Sequence, residues 1–209
     1  MRPVDDGFEV LLVQRNGRGF FGDFLVFPGG RVDQIDVPNG EFAHADGSHR
    51  FAALRELAEE AGMTPTTSGM RAVPKVKGRD FYHWVADGGL ELAIEELLLV
   101  SRWVTPEASP RRFDTRFYLL GCVDPPEVRI DHDELVGAFW ERPAVALARF
   151  ESGEWPMILP TLAHLRWLTK RSGIADAMES ARGADGRTMI EPRRAEDGSI
   201  LPIHMPADP

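Results

Sequence analysis

Arg50-Phe51-Ala52-Ala53-Leu54-Arg55-Glu56-Leu57-Ala58-Glu59-Glu60-Ala61-Gly62-Met63 is the stretch on which the reading of this chain turns. At roughly 100° per residue, Leu54, Leu57, Ala58 and Ala61 fall within an arc of about 100°, and Glu56, Glu59 and Glu60 fall within a second arc nearly opposite. A helix over residues 50–61 therefore has an apolar back for a core and a carboxylate front. Gly62 supplies the left-handed cap that ends it. Ala52 and Ala53 lie beside the carboxylates and leave room for something to approach. Arg55 precedes Glu59 by four residues, the spacing of a helical ion pair that fixes the glutamate. Three crowded carboxylates repel one another, on the order of 4 kcal/mol per pair at about 4 Å and an effective dielectric of 20. Solvent relieves much of that, and a hard cation relieves it better, since Mg²⁺ and Mn²⁺ take oxygen ligands. On the helix alone a solvated Glu-rich face is the commoner explanation.

The segment upstream changes that balance. Phe24-Leu25-Val26-Phe27-Pro28 reads as a strand stopped by Gly29-Gly30. Two glycines let the backbone approach a ligand closely and leave the Gly29 carbonyl open to a metal shell. Residues 8–14 form another strand, joined to the first by the turn Asn16-Gly17-Arg18-Gly19. Pro3-Val4-Asp5-Asp6-Gly7 is turn-like, as though a hairpin partner were missing; a short disordered N-terminus is the alternative.

Residues 31–49 and 64–78 read as loops, and 81–86 and 90–97 as short helices. Leu98–Val104, 116–123 and 135–140 read as strands, and 143–150 and 160–170 as helices. Beyond Arg182 periodicity fades into an extended or disordered tail. No internal repeat is visible, and the pattern is that of a sheet covered by helices.

Composition bounds the function. The 209 residues, 43% of them hydrophobic, suit one domain with a sizeable core. No apolar run approaches the roughly 20 residues of a membrane span, and Met1–Asp6 lacks a signal-peptide core. Cys122 is the single cysteine, which excludes an internal disulfide and makes a cytoplasmic location the expectation. A net charge of −9 gives no general attraction to nucleic acid or to anionic membranes. A polyanionic substrate then needs a local device: metal ions or clustered arginines. Arg111, Arg112 and Arg116 form such a cluster, and guanidinium groups match phosphate oxygens. On a strand, Arg112 and Arg116 share a face and Arg111 points away; salt bridging to Asp114 or Glu107 is the plainer alternative. His44 and His49 sit in the segment 31–49, where they could approach a substrate; surface positions are the plainer reading. His83 and His164 read as partly buried packing. Trp155, Trp167 and the Leu-rich stretch 162–168 either pack the C-terminal helix or form a homodimer face. Cys122 reads as inert.

Phe27-Pro28-Gly29-Gly30 followed by Arg55-Glu56-Leu57-Ala58-Glu59-Glu60-Ala61-Gly62-Met63 resembles the Nudix signature, Gly-x5-Glu-x7-Arg-Glu-U-x-Glu-Glu-x-Gly-U with U apolar. Every fixed residue of its second half is present. The resemblance implies an α/β/α sandwich with a mixed central sheet, here with a C-terminal helical extension. It gives a Nudix domain over 1–182, with the box at 29–63 interrupted by an insertion at 31–49, and a tail over 183–209. It also implies metal-dependent hydrolysis of a phosphoanhydride bond in a small, nucleoside-diphosphate-linked substrate. Mg²⁺ or Mn²⁺ would be held by Glu56, Glu59, Glu60 and the Gly29 carbonyl, and Arg55 would orient a glutamate. Glu56 is one candidate base. Glu134, in Asp131-His132-Asp133-Glu134, is another, unless that segment is a solvated acidic turn.

The likeness has gaps. Counting back from Arg55, the first glutamate of the signature falls at Gly47, so it is absent or replaced by Asp46 or Glu41. The insertion, Trp103-Val104-Thr105-Pro106-Glu107 and Arg111-Arg112-Phe113-Asp114-Thr115-Arg116-Phe117 resemble the branch of peroxisomal coenzyme-A diphosphatases. The arginine-rich coenzyme-A motif is matched only by Leu11-Leu12 and Arg15. Coenzyme A or an acyl-CoA is thus the first expectation. ADP-ribose, NADH, dinucleoside polyphosphates and oxidised nucleotides stay open. The competing reading is a catalytically silent nucleotide-binding module, against which the intact Arg55-Glu56 and Glu59-Glu60 argue.

Overall fold

Val10-Leu11-Leu12-Val13 is buried on both faces, and the strand it occupies is the axis of the larger sheet. We describe the protein from a computed structural model covering residues 1–17, 22–37, 46–193, 195 and 203–206. The axial strand β2 (Gly7–Arg15) pairs antiparallel with β1 (Arg2–Val4), β3 (Leu25–Val26) and β8 (Leu135–Glu141). The hairpin partner that the turn at Asp5-Asp6 signals is therefore present: β1 sets Arg2 opposite Glu9, with an ion pair at 2.7 Å.

A second sheet is built on β6 (Leu98–Val104), with β7 (Asp114–Leu119) antiparallel on one side and β9 (Met189–Ile190) parallel on the other. The tail thus adds a short strand, and Met205 beyond it is buried in the core. The strands lie in separate sheets, and the β6–β9 pairing makes the second one mixed.

Helix α1 (Gly47–Ala61) starts three residues earlier than the wheel indicates and ends as expected, at Gly62 with φ 67°. Its apolar back divides between two neighbours. Leu54 and Ala58 pack with Phe81, Ile94 and Leu97, whereas Ala61 packs with Leu11 and Met63. Phe81 belongs to α2 (Arg79–Asp87).

The opposite layer holds α3 (Pro143–Glu151), α4 (Leu159–Leu168) and α5 (Ile174–Gly183). Its Leu165, Trp167 and Ala177 meet Leu12 and Leu25 of the first sheet and Val100 and Leu119 of the second in one core. Trp155 and Trp167, with Leu162, Leu165 and Leu168, are buried within this chain and offer no dimer face. Among the described residues, no helix is long and apolar enough to cross a membrane.

Two segments differ from expectation for one reason. The region read as a loop over 64–78 begins with a hairpin, β4 (Met63–Thr66) and β5 (Gly69–Ala72). The segment after α2 then spends its backbone groups on that hairpin, not on a helix: Thr67 N–H donates to the Glu91 carbonyl and Ala93 N–H to that of Pro65. Only the 3₁₀ turn Ile94–Glu96 remains of the helix expected at 90–97.

His164 of α4 is fully enclosed, whereas His83 is exposed and not a packing residue. The His164 Nδ1 lies 2.6 Å from the Pro160 carbonyl, which can only accept, so Nδ1 carries the proton. Nε2 therefore accepts from the Ser101 hydroxyl at 2.8 Å, whose oxygen accepts Trp103 Nε1–H at 3.0 Å. Burial pushes the imidazole down to about 4.

Candidate active site

The carboxylate face of α1 meets the end of β3, and Arg55 organises the junction. Only 2% exposed, Arg55 gives Nε and Nη2 to the two oxygens of Asp36 at 2.9 and 3.0 Å. Nη2 also reaches the Arg31 carbonyl at 2.8 Å, and Nη1 donates to Glu56 at 2.9 Å and Glu59 at 3.1 Å. Only a planar, multi-donor fork can hold three carboxylates in this way; a lysine could not. Asp36 is completely buried and takes further hydrogen bonds from the Tyr82 hydroxyl (2.5 Å) and the Asp33 N–H (2.7 Å). Burial alone would push its carboxyl up, but the bonds from Arg55, Tyr82 and Asp33 prevail and hold it below the ordinary value.

Glu60 is set deeper, at 2% exposure. It accepts the Gly29 N–H and Arg15 Nη2, both at 2.8 Å, and the same Nη2 reaches the Gly29 carbonyl at 2.5 Å. Burial raises the Glu60 carboxyl to about 7 in spite of Arg15 and the Gly29 N–H; Glu56 and Glu134 add repulsion. Glu56 is raised as well, chiefly by burial. Glu59 accepts the Gly78 N–H at 2.8 Å, so the loop ahead of α2 lies against it.

The two glycines serve different needs. Gly29 has φ 152°, open to glycine and strained for other residues. Gly30 is required for space: a Cβ there would sit 2.4 Å from the Glu56 carboxylate. Gly30→Ala should therefore leave the fold in place, because the flexible end of Glu56 can yield, and displace that carboxylate. The expected result is a change in stability below about 1 kcal/mol with kcat down at least about ten-fold, since ångström-scale misplacement costs on the order of 10²-fold. A thermal melt beside steady-state kinetics checks both halves.

The NUDIX domain family model matches residues 3–159. This chain belongs to the Nudix family. It is 28% identical over 174 residues to a putative Nudix hydrolase 7 of Caenorhabditis elegans, covering 78% of this chain and 56% of that protein. It is 28% identical over 239 residues to the Homo sapiens acyl-coenzyme A diphosphatase NUDT19, covering 83% of this chain and 64% of that protein. The chain thus spans less than two thirds of the length of both relatives. The crystal structure of a Nudix hydrolase from Alicyclobacillus acidocaldarius superposes with a TM-score of 0.73 at 30% identity, over 85% of this chain and 90% of that one. The α/β Nudix fold is shared.

The Nudix box is less broken than the sequence reading had it. Counted forward from Gly30, the first acidic position is Asp36, the residue that Arg55 grips. The extra residues fall after Asp36, so the insertion is shorter than 31–49, and α1 already includes 47–49. Asp46 is engaged elsewhere, accepting from Arg50 Nε at 3.2 Å and the Tyr118 hydroxyl at 3.0 Å. Glu41 and His44 lie outside the described residues. Tyr82 and Lys77 also surround the site without a sequence signal, as does Arg15, which the sequence marks only as part of the coenzyme-A motif.

Glu134 is half exposed and bound by Lys77 Nζ at 3.1 Å, and the same ammonium lies 2.5 Å from Asp131. Lys77, by hydrogen bonding, holds the Asp131 carboxyl down to about 2. The stretch is thus a salt-bridged turn, near enough to Glu60 to act on its charge.

The three arginines part company. β7 begins only at Asp114, so Arg112 does not share a strand face with Arg116; its Nε turns back to the Thr105 carbonyl at 3.4 Å. Arg111 and Arg112 are exposed, whereas Arg116 is largely covered and hydrogen-bonds to His49. His49 is accordingly half-buried, not a surface residue.

The donor set suits a hard divalent ion, being carboxylates and a carbonyl oxygen. As the side chains stand, no three His, Cys, Asp or Glu among the described residues are grouped to hold one ion. Arginine donors engage each carboxylate instead. Arg55 is anchored to Asp36 through Nε and Nη2, so its Nη1 can release Glu56 and Glu59 while the residue stays put.

Proposed function

We propose that this chain hydrolyses a diphosphate bond in a nucleoside-diphosphate-linked small molecule with Mg²⁺ or Mn²⁺ bound, and that the substrate is coenzyme A or an acyl-CoA. The observation that carries the reaction class is the junction of Glu56, Glu59 and Glu60 with the Gly29 backbone. Two of these carboxyls are raised by burial and mutual repulsion, a concentration of negative charge that a divalent cation offsets. Glu56, Glu59, Glu60 and the Gly29 carbonyl would hold the ion, which neutralises the diphosphate and acidifies water. Arg55 fixes the carboxylates through Asp36. Glu56, held against Gly30, or Glu134 accepts the proton of the attacking water. The new P–O bond forms as the bridging P–O bond breaks, and its electron pair leaves with the departing phosphate.

The substrate class is supported by the box insertion and by the similarity to the human acyl-coenzyme A diphosphatase. The test is mass spectrometry of products from a pooled panel of coenzyme A, acyl-CoAs, ADP-ribose, NADH, diadenosine polyphosphates and nucleoside triphosphates, with either metal and with chelator. Release of 3′,5′-ADP and a phosphopantetheine, dependent on metal, is the expected result. Metal-dependent cleavage of another member discards the coenzyme-A substrate alone. No cleavage of any member favours the binding module.

A further inference from the structure

His49 shares the carboxylate face of α1. At roughly 100° per residue it falls within about 20° of both Glu56 and Glu60, and about 10 Å along the helix from Glu56. Ala52, which is buried, and Ala53, which packs against the cluster around Leu54 and Phe81, stand between, so no long side chain of α1 lies between His49 and the carboxylates on that face, and the ground between them is covered by packing.

His49 in turn meets the second sheet, where Arg116 Nη1 donates to its Nε2. Arginine can only donate, so this imidazole nitrogen accepts, and burial and Arg116 both lower the His49 pKa. Arg116 stands opposite Arg102 across β6 and β7. Asp114 takes two bonds from Arg102, at 2.9 and 2.7 Å, and lies 3.7 Å from Arg116 Nη1. The nearby Asp46 is matched by Arg50. Two guanidinium groups, beside a neutral imidazole, thus face one carboxylate, a local positive excess in a chain of net charge −9. Among the described residues, Arg116 engages only its Nη1, leaving the rest of its fork for a ligand. The position of this group relative to Gly29-Gly30 is set by packing, because the Phe27 ring meets that of Phe117, next to Arg116, edge-on at 6.4 Å.

We propose that Arg116 and His49, with Arg102 behind them, form a second anion subsite that takes a phosphomonoester on the substrate's ribose, apart from the diphosphate being cleaved. This rests on the diphosphate reading, since the carboxylate end of the same helix face defines where the rest of the substrate lies. A ribose carrying one phosphate at its 5′ end and another on a secondary hydroxyl presents two anions separated by a sugar ring. The helix face carries His49 at one end and the carboxylates at the other, about 10 Å apart along the axis. A dianionic phosphate also fits a guanidinium fork better than a neutral hydroxyl does.

Calorimetry on the full chain with Mg²⁺ tests this, using 3′,5′-ADP, 2′,5′-ADP and 5′-AMP as probes. One of the two bisphosphates should bind at least about ten-fold tighter than 5′-AMP, the usual scale of a charge-assisted contact; which one identifies the hydroxyl. Arg116→Ala should bring the two affinities together and leave 5′-AMP unchanged. Asp114 is exposed and keeps both bonds from Arg102 in that variant, so no carboxylate is orphaned. Asp114→Asn should widen the preference by removing the competing anion. Equal binding of all three probes to the wild type, or a preference that survives Arg116→Ala or fails to widen in Asp114→Asn, overturns the proposal. The readout is binding, so it remains legible if coenzyme A turns out not to be cleaved.

Discussion

Arg55→Ala is expected to lower the stability of the fold by about 3–5 kcal/mol, the scale for removing one partner of a buried ion pair. Among the described residues, the substitution leaves the Asp36 carboxylate, completely buried, with only the Tyr82 hydroxyl and the Asp33 N–H. It also frees Glu56 and Glu59, so activity should fall with stability. The decisive measurement is a double-mutant cycle in urea. Asp36→Asn removes the charge that Arg55→Ala strands, so the double variant should be more stable than Arg55→Ala alone. Strictly additive losses would show that the pair carries no coupling and that Asp36 is not what Arg55 serves.

That pair also marks where the sequence was legible and where it was not. The helix was readable because Leu54, Ala58 and Ala61 recur at helical spacing and each is buried as the wheel requires. The carboxylate face was readable for the same reason, and Gly62 ended the helix as a left-handed cap. A count backward from Arg55 passes through the extra residues and does not reach Asp36; the forward count, Gly30-x5-Asp36, does. The burial of Glu60 could not be read from helical periodicity, which places it on the polar arc. It depends on Arg15 arriving from β2 and on the Gly29 N–H, both brought in by the tertiary fold. The covering of His49, which reads as a surface residue, was hidden for a similar reason, since its partner Arg116 lies 67 residues away. The hairpin at Met63–Ala72 was hidden by Pro65 and a run of polar residues that reads as loop until the 91–93 segment is seen to pair with it.

Glu60 and His164 give the second large expectation, because their shifts oppose each other over nearly the same pH range. His164 falls from 6.5 to about 4 on folding. Between those values the unfolded chain gains a proton that the folded chain refuses, so this contribution is lost as pH falls from 6.5 to 4. Glu60 rises from 4.5 to about 7. The folded chain keeps a proton that the unfolded chain releases, so the Glu60 contribution is present below pH 4.5 and lost as pH rises to 7. At 1.36 kcal/mol per pKa unit each amounts to about 3 kcal/mol, and the two largely cancel between pH 4.5 and 6.5. Removing either should uncover the other. In chelated buffer, so that no cation holds Glu60 ionised, Glu60→Gln should lose about 2–3 kcal/mol more than the wild type on acidification from pH 6.5 to 4.5. His164→Phe should gain a comparable amount relative to the wild type over the same interval, whatever its absolute stability. Urea denaturation at several pH values reads the slopes directly. If both variants keep the wild-type slope, Glu60 and His164 titrate alike in the folded and unfolded chains, and neither is enclosed as described.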